Sequence, residues 1–208
     1  MQHPHFQEED RIQLREILTR KSLKLDRLFK LSSGATSNKY IDGKLTTCSP
    51  EAMPLVGRLF LRKIMEKLWN PGAVGGLTVG ADPIAFSVAR ESLETLGRPI
   101  QAFIVRKQPK THGMGRFIEG IEETKGLPVV ILDDVCTHGT STGEAIAKAR
   151  EAGMMVIGAL CLVNREEGAT ALLADKFECQ LESIFTLEEL IAYHHEQERT
   201  SAPVGAHS

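Results

Sequence analysis

From Ala73 onward the sequence keeps a regular beat, in which a short apolar run is followed by a longer stretch of helical period and then by another apolar run. Ala73 to Val79, Ile100 to Val105, Pro128 to Leu132, Met155 to Val163 and Leu181 to Phe185 read as strands. Asp82–Pro83 to Leu96, about Ser141 to Ala152, and a short stretch near Ala169 to Ala174 read as helices between them. Strands separated by crossover helices predict an α/β fold with a mainly parallel, doubly wound sheet. In an open sheet of that kind ligands sit at the carboxyl ends of the strands, so those ends are where chemistry is sought.

The residues before this rhythm behave differently. Ile12, Ile17 and Leu18 among charges predict an amphipathic helix from Asp10 to about Lys21, and the segment up to Thr47 mixes short alternating pieces with turns around Gly34 and Gly43. Ser49, Pro50 and Glu51 start a helix whose apolar period runs to about Leu68, where Asn70, Pro71 and Gly72 stop it. Thr186 with Glu189 three residues on is a capping-box signature for a last helix to about Gln197. The expected organisation is a helix and small cap over residues 1–48, a core over 49–198, and a disordered tail over 199–208.

Composition narrows the function classes. Lys plus Arg total 25 against 27 Asp plus Glu, a balance of −2 that argues against a general nucleic-acid binder. Cys48, Cys136, Cys161 and Cys179 form no CxxC pair, so neither a zinc site nor a disulfide framework is indicated, and a reducing cytoplasm is the simplest location. The first residues are acidic where a secretory signal needs a basic start. No run approaches the roughly 18 apolar residues that span a bilayer, so no membrane partner is expected.

The most informative stretch is LPVVILDDVCTHGTSTGEAIAKAR, residues 127–150. An apolar run ends in Asp133 and Asp134, then passes through Thr137, Gly139, Thr140 and Ser141 into a helix. Small residues let backbone N–H groups approach an anion, the hydroxyls add donors, and a helix amino terminus favours phosphate. There is no P-loop lysine and no GxGxxG, which disfavours nucleoside-triphosphate hydrolysis and dinucleotide binding. Two acids beside a phosphate suit sugar hydroxyls or a Mg²⁺ ion carried by the ligand. A phosphorylated sugar fits this pattern, and an acidic turn capping an ordinary helix is the alternative.

A second feature is the segment IVRKQPKTHGMGRFIEG. Between Thr95 and Ile118 there is no acid, while Arg98, Arg106, Lys107, Lys110 and Arg116 are all cationic. Pro109, Gly113 and Gly115 break regular structure, so Lys107, Lys110 and His112 are expected on a loop that closes over a diphosphate. A solvated basic loop is the plainer reading.

Residues 127–142 resemble the 5-phosphoribosyl 1-diphosphate (PRPP) motif of type I phosphoribosyltransferases. RKQPKTHG resembles the lid of the orotate phosphoribosyltransferase family, FKLSSGATSNKYIDGK its amino-terminal substrate hood, and GGLTVGADPIA its first pyrophosphate-side loop. The matches fall in order over about residues 28–168 and imply the type I phosphoribosyltransferase fold with a small amino-terminal hood. They imply transfer of ribose 5-phosphate from PRPP to orotate, giving orotidine 5′-phosphate and diphosphate in de novo pyrimidine (UMP) synthesis, with Mg²⁺ held mainly through the diphosphate. By the same resemblance Asp133 and Asp134 hold the ribose hydroxyls, and Val135, Cys136, Thr137, His138, Gly139, Thr140 and Ser141 form the 5′-phosphate loop. Arg106, Lys107, Lys110 and His112 match lid residues that bind the diphosphate, with Lys107, Lys110 and His112 as the catalytic set, and Thr137 and Arg165 match contacts to orotate. In the family the lid reaches the partner's site in a symmetric dimer, so a homodimer is implied. No resident protein metal site is implied.

There are departures from the family pattern at Ser32, Ala35 and Gly80, which bear on the hood's contacts to orotate, and His138 is bulkier than the small residue usual there. His138 either adds a phosphate contact or points outward. Cys136 reads as a small packed thiol, Trp69 as a helix-end packing residue, and His194 and His195 as surface residues. A phosphoribosyltransferase for another base and a noncatalytic PRPP sensor remain as alternatives.

Overall fold

Every residue of the run Ala73–Leu77 is buried, which a strand achieves only when both faces of its sheet are covered. The computed structural model describes residues 4–30, 36–109 and 116–201. It opens with α1 (Pro4–Ser22), then the two-residue strands β1 (Leu23–Lys24), β2 (Phe29–Lys30), β3 (Thr36–Ser37) and β4 (Tyr40–Ile41), and the short α2 (Lys44–Thr47). The rest alternates: α3 (Met53–Glu66), β5 (Ala73–Leu77), α4 (Asp82–Thr95), β6 (Gln101–Val105), β7 (Ile118–Glu119), β8 (Pro128–Cys136), α5 (Thr140–Glu151), β9 (Met155–Asn164), α6 (Ala169–Phe177), β10 (Leu181–Thr186) and α7 (Leu187–Ser201).

The main sheet has six strands in the order β10-β9-β8-β5-β6-β7. The first five run parallel, and β7 adds an antiparallel edge. The predicted mainly parallel, doubly wound α/β sheet is thus the observed one. Period-two alternation sorts β8 between the layers. Val130 and Leu132 join the core under α1, α3, α4 and α7, whereas Val129 and Ile131 join the core under α5 and α6. Strand order reverses between β5 and β8, and their carboxyl ends lie side by side.

Several boundaries differ from expectation for identifiable reasons. Strand β8 does not stop at Leu132 but runs through both acids to Cys136, because β9 pairs with it as far as Cys136↔Asn164. Helix α3 begins at Met53, not at Ser49. The Ser49 hydroxyl accepts a hydrogen bond from Lys21 Nζ at 3.1 Å, while its carbonyl receives the N–H groups of Ala52 and Met53 in a preceding turn. Helix α7 continues to Ser201, so the first three residues of the expected tail are helical. At its start Thr186 Oγ1 accepts the Glu189 N–H at 3.2 Å, as the capping signature predicts. The Glu189 carboxylate does not fold back, however; it takes Arg11 Nη2 at 2.6 Å.

That ion pair fastens α1 to α7, and Asp10 fastens α1 to α3 by accepting Arg58 Nε at 2.8 Å and Nη2 at 2.7 Å. The amino-terminal segment is thereby held against the core. Its strands form a nested ribbon, with β1 pairing β4 and β2 pairing β3. Ser32, Gly34 and Ala35 lie outside the described residues. Among the described residues no helix is long and apolar enough to cross a membrane.

Glycine is required in β5 for a packing reason. A Cβ at Gly76 would overlap the Leu132 carbonyl oxygen and come within 2.8 Å of Ala81 Cβ, and one at Gly75 would overlap the Phe103 carbonyl oxygen. Gly76→Ala is therefore expected to destabilise the protein by about 3 kcal/mol, the upper part of the usual overpacking range, as read by urea denaturation.

Candidate active site

At the reversal point Asp133 and Asp134 are both buried, each 8% exposed. Adjacent strand residues point to opposite faces, so the two acids have different surroundings. Asp133 Oδ2 accepts the Thr142 hydroxyl at 2.7 Å, and its Oδ1 accepts the Asp134 N–H at 3.0 Å. Burial, then the fields of Asp134 and Cys136, push the Asp133 pKa well above the ordinary carboxylate range, against the lowering effect of these two hydrogen bonds.

Asp134 is enclosed by backbone from two distant segments. A Cβ at Gly80, in the loop after β5, would overlap Asp134 Oδ1, and one at Gly43 would stand 3.0 Å from Asp134 Oδ2. Lys44 Nζ sits 3.5 Å from Asp134 Oδ2 and 2.8 Å from Asp42 Oδ1. Partial burial works against the lysine's charge, but its hydrogen bond to Asp42 and the fields of Asp134 and Asp42 outweigh that and raise its pKa. The amino-terminal segment thus places a cation beside the acid pair. No local pattern marks the contact of Lys44 with Asp134, which lies 90 residues away in sequence.

Beyond the acids the chain turns into α5 through Gly139, whose φ of 79° favours glycine. Thr140 and Ser141 are exposed at the helix start and Thr137 is half-buried beside them. A small-residue turn into a helix start of this kind is able to receive an anion. Cys136 is buried, and hydrogen bonds from Cys161, Thr142 and the Gly139 backbone lower its thiol pKa against the opposing effect of burial. His138 is exposed and its ring Nδ1–H donates to the Glu167 carbonyl at 2.8 Å, which ties it to the next loop.

Arg165 is not a solvated surface arginine. Its side chain is 6% exposed, its Nε and Nη2 reach Glu167 Oε1 at 2.9 and 2.7 Å, and its N–H donates to the Cys136 carbonyl at 2.9 Å. The structure therefore brings Arg165 to the loop that carries Thr137. Arg106 directs Nη1 toward Glu119 at 3.4 Å and Nε to the Gln108 carbonyl at 3.2 Å, and Lys107 is exposed. Lys110 and His112 lie outside the described residues.

Chemically, the site offers two unlike carboxylates, a helix start whose N–H groups suit an anion, and the Lys44 cation beside Asp134. Asp134, facing Lys44 across 3.5 Å, suits sugar hydroxyls or the water shell of a cation brought in by a diphosphate. Among the described residues no three His, Cys, Asp or Glu side chains converge as a metal cage.

A doubly wound sheet whose strand order reverses beside an acid pair and a helix start places these groups where open α/β sheets take their ligands. Residues 49–195 match the family model of the phosphoribosyl transferase domain. The chain is similar to the orotate phosphoribosyltransferase of Aquifex aeolicus, with 43% identity over 184 residues covering 88% of this chain and 98% of that one. Among solved structures, Mycobacterium tuberculosis H37Rv orotate phosphoribosyltransferase in complex with Fe(III) dicitrate superimposes with a TM-score of 0.75 at 35% identity, over 87% of this chain and 98% of that one. The same enzyme in complex with PRPP gives a TM-score of 0.71 at 32% identity over 87% and 98%. The chain belongs to the orotate phosphoribosyltransferases, within the phosphoribosyl transferase domain family.

The raised pKa of Asp133 has a thermodynamic sign. The folded chain keeps this proton to higher pH than the unfolded chain does, so the group's contribution to stability falls as pH rises from about 4 toward its folded value. Asp133→Asn removes that titration. Its stability relative to wild type should improve as pH rises above about 4 in urea denaturation; a difference that does not change with pH would contradict the raised pKa.

Proposed function

We propose that the protein transfers the ribose 5-phosphate group of PRPP to N1 of orotate, forming orotidine 5′-phosphate and releasing diphosphate in UMP biosynthesis. The carrying observation is the buried acid pair leading into the α5 helix start, in a chain that matches an orotate phosphoribosyltransferase over 98% of that enzyme's length. The reaction is a pentosyl transfer that needs no covalent enzyme nucleophile. As the C1′–diphosphate bond breaks, positive charge builds on the sugar and negative charge on the leaving group, and orotate N1 supplies the electron pair for the new bond. Catalysis of this kind is positional and electrostatic.

Each group has a part. Thr137, Gly139, Thr140 and Ser141 hold the 5′-phosphate, with Val135, Cys136 and His138 shaping the loop. Asp133 and Asp134 orient the ribose hydroxyls, and Lys44 moderates the repulsion between Asp134 and an anionic ligand. Arg106, Lys107, Lys110 and His112 take the charge of the departing diphosphate, and Thr137 and Arg165 align orotate, the planar guanidinium being suited to paired hydrogen bonds with a carboxylate or pyrimidine edge. Asp134 would face the water shell of a Mg²⁺ ion carried by the diphosphate, and that ion would supply neutralisation of part of the leaving-group charge.

The finer assignments belong to the same proposal. Residues 1–48 act as a hood over the base, residues 49–198 as the transferase core, and two copies form a cytoplasmic homodimer in which the basic loop of one serves the site of the other.

Mixing orotate, PRPP and Mg²⁺ with the protein should consume orotate in step with PRPP. Tight PRPP binding without turnover would favour a sensor, and consumption of another base in a competition assay would redirect the substrate assignment. Lys110→Ala should depress turnover by at least about 100-fold while changing stability by less than about 0.5 kcal/mol. Equal loss of both would remove Lys110 from the diphosphate site.

A further inference from the structure

Lys148 lies on α5, two turns beyond the phosphate loop, and its side chain is only 12% exposed. An ammonium has three N–H donors, and here all three are engaged. Lys148 Nζ donates to the Arg106 carbonyl at 2.9 Å, to the Lys107 carbonyl at 3.0 Å and to Glu144 Oε1 at 2.6 Å. It also stands 4.3 Å from the centroid of the Phe117 ring, within cation–π range.

These partners are the two arms of the basic segment. Arg106 and Lys107 leave β6, Phe117 returns toward β7, and the arms meet where the Arg106 N–H donates to the Phe117 carbonyl at 2.9 Å. Consecutive carbonyls of an extended chain point in opposite directions, so two of them turned onto one ammonium fix a bend at Arg106–Lys107. That bend decides where both side chains emerge. Beside this clamp a groove of about 370 Å³, lined by Phe117, Ile121, Lys148 and Ala152 among others, opens between α5 and the returning arm.

We propose that Lys148 is a positioning residue for the transfer reaction, clamping the arms of the basic segment to the helix whose amino terminus receives the 5′-phosphate. With its protons committed to the protein, Lys148 acts through Arg106 and Lys107 and not on the diphosphate directly. One helix thereby carries the 5′-phosphate grip of its own subunit at its start and, at its last turns, the basic arms that serve the diphosphate in the partner's site. The inference rests on the orotate phosphoribosyltransferase reading for its kinetic part alone.

The test uses the full-length protein with Lys148→Met, which keeps the stem and removes the donors, and Lys148→Arg, which keeps charge, donors and stacking on Phe117. Hydrogen–deuterium exchange at residues 104–107 and 117–119 should quicken in Lys148→Met with the rest of the sheet unchanged, and Lys148→Arg should restore protection. In parallel, kcat/KM for PRPP should fall on the order of 10- to 100-fold in Lys148→Met, the scale of a small misplacement of catalytic groups, with KM for orotate little changed and Lys148→Arg recovering most of the loss. Unchanged exchange in Lys148→Met would overturn the clamp. Faster exchange with wild-type kcat/KM for PRPP would overturn the positioning role. Absence of turnover in the wild type would instead count against the enzyme reading, with exchange still deciding the clamp.

Discussion

Two carboxylates placed side by side in the buried end of a strand repel each other, and much of this fold is arranged around keeping both there. Asp133 is held by a hydroxyl from α5 and by the next residue's amide, while Asp134 is fenced by glycine backbone and faced by Lys44. The two solutions differ because a strand turns successive side chains to opposite faces. One acid is absorbed into the α5 layer, and the other is left toward the amino-terminal segment.

Supplying Lys44 from so far away in sequence requires the amino-terminal segment to be fixed, and its anchors lie on α3 and on the carboxyl-terminal helix α7. Arg11 pairs with Glu189 and lies 4.7 Å from the Phe185 ring centroid, and Asp10 takes a bidentate contact from Arg58. Each such ion pair is modest when exposed, but these are partly buried and backed by the apolar residues Leu14, Ile17 and Leu18. The route from α1 to the acid pair is short once the ribbon β1–β4 carries the chain to Gly43.

How much of this was legible depended on whether the determining contact was local. The βαβ rhythm, the strand-to-helix turn at Gly139 and the packing of a half-buried Trp69 just past a helix end follow from patterns within a dozen residues; a Cβ at Gly158 would overlap the Trp69 ring. The basic segment was legible as charge, though its central residues fall outside those described. The long-range contacts of Lys44 and Lys148 were not legible, because Asp134, Arg106 and Lys107 lie more than 40 residues away and the latter two are met through backbone carbonyls that carry no residue signature. Strand β7, two residues long, is too short to show a period. Strand β8 was cut short at Leu132 because hydrophobic pattern ends at the first acid, whereas the ladder with β9 does not.

Glu167 joins two loops that a reader of the sequence would treat as separate. Its carboxylate grips Arg165 and its carbonyl receives His138, so the segment proposed to face the base and the loop proposed to face the 5′-phosphate share one strut. Specificity for the two halves of the reaction is consequently not modular in this chain. A lineage altering its base preference through residues 165–168 would disturb its grip on the sugar phosphate at the same time, and compensating changes would be expected to arise around His138.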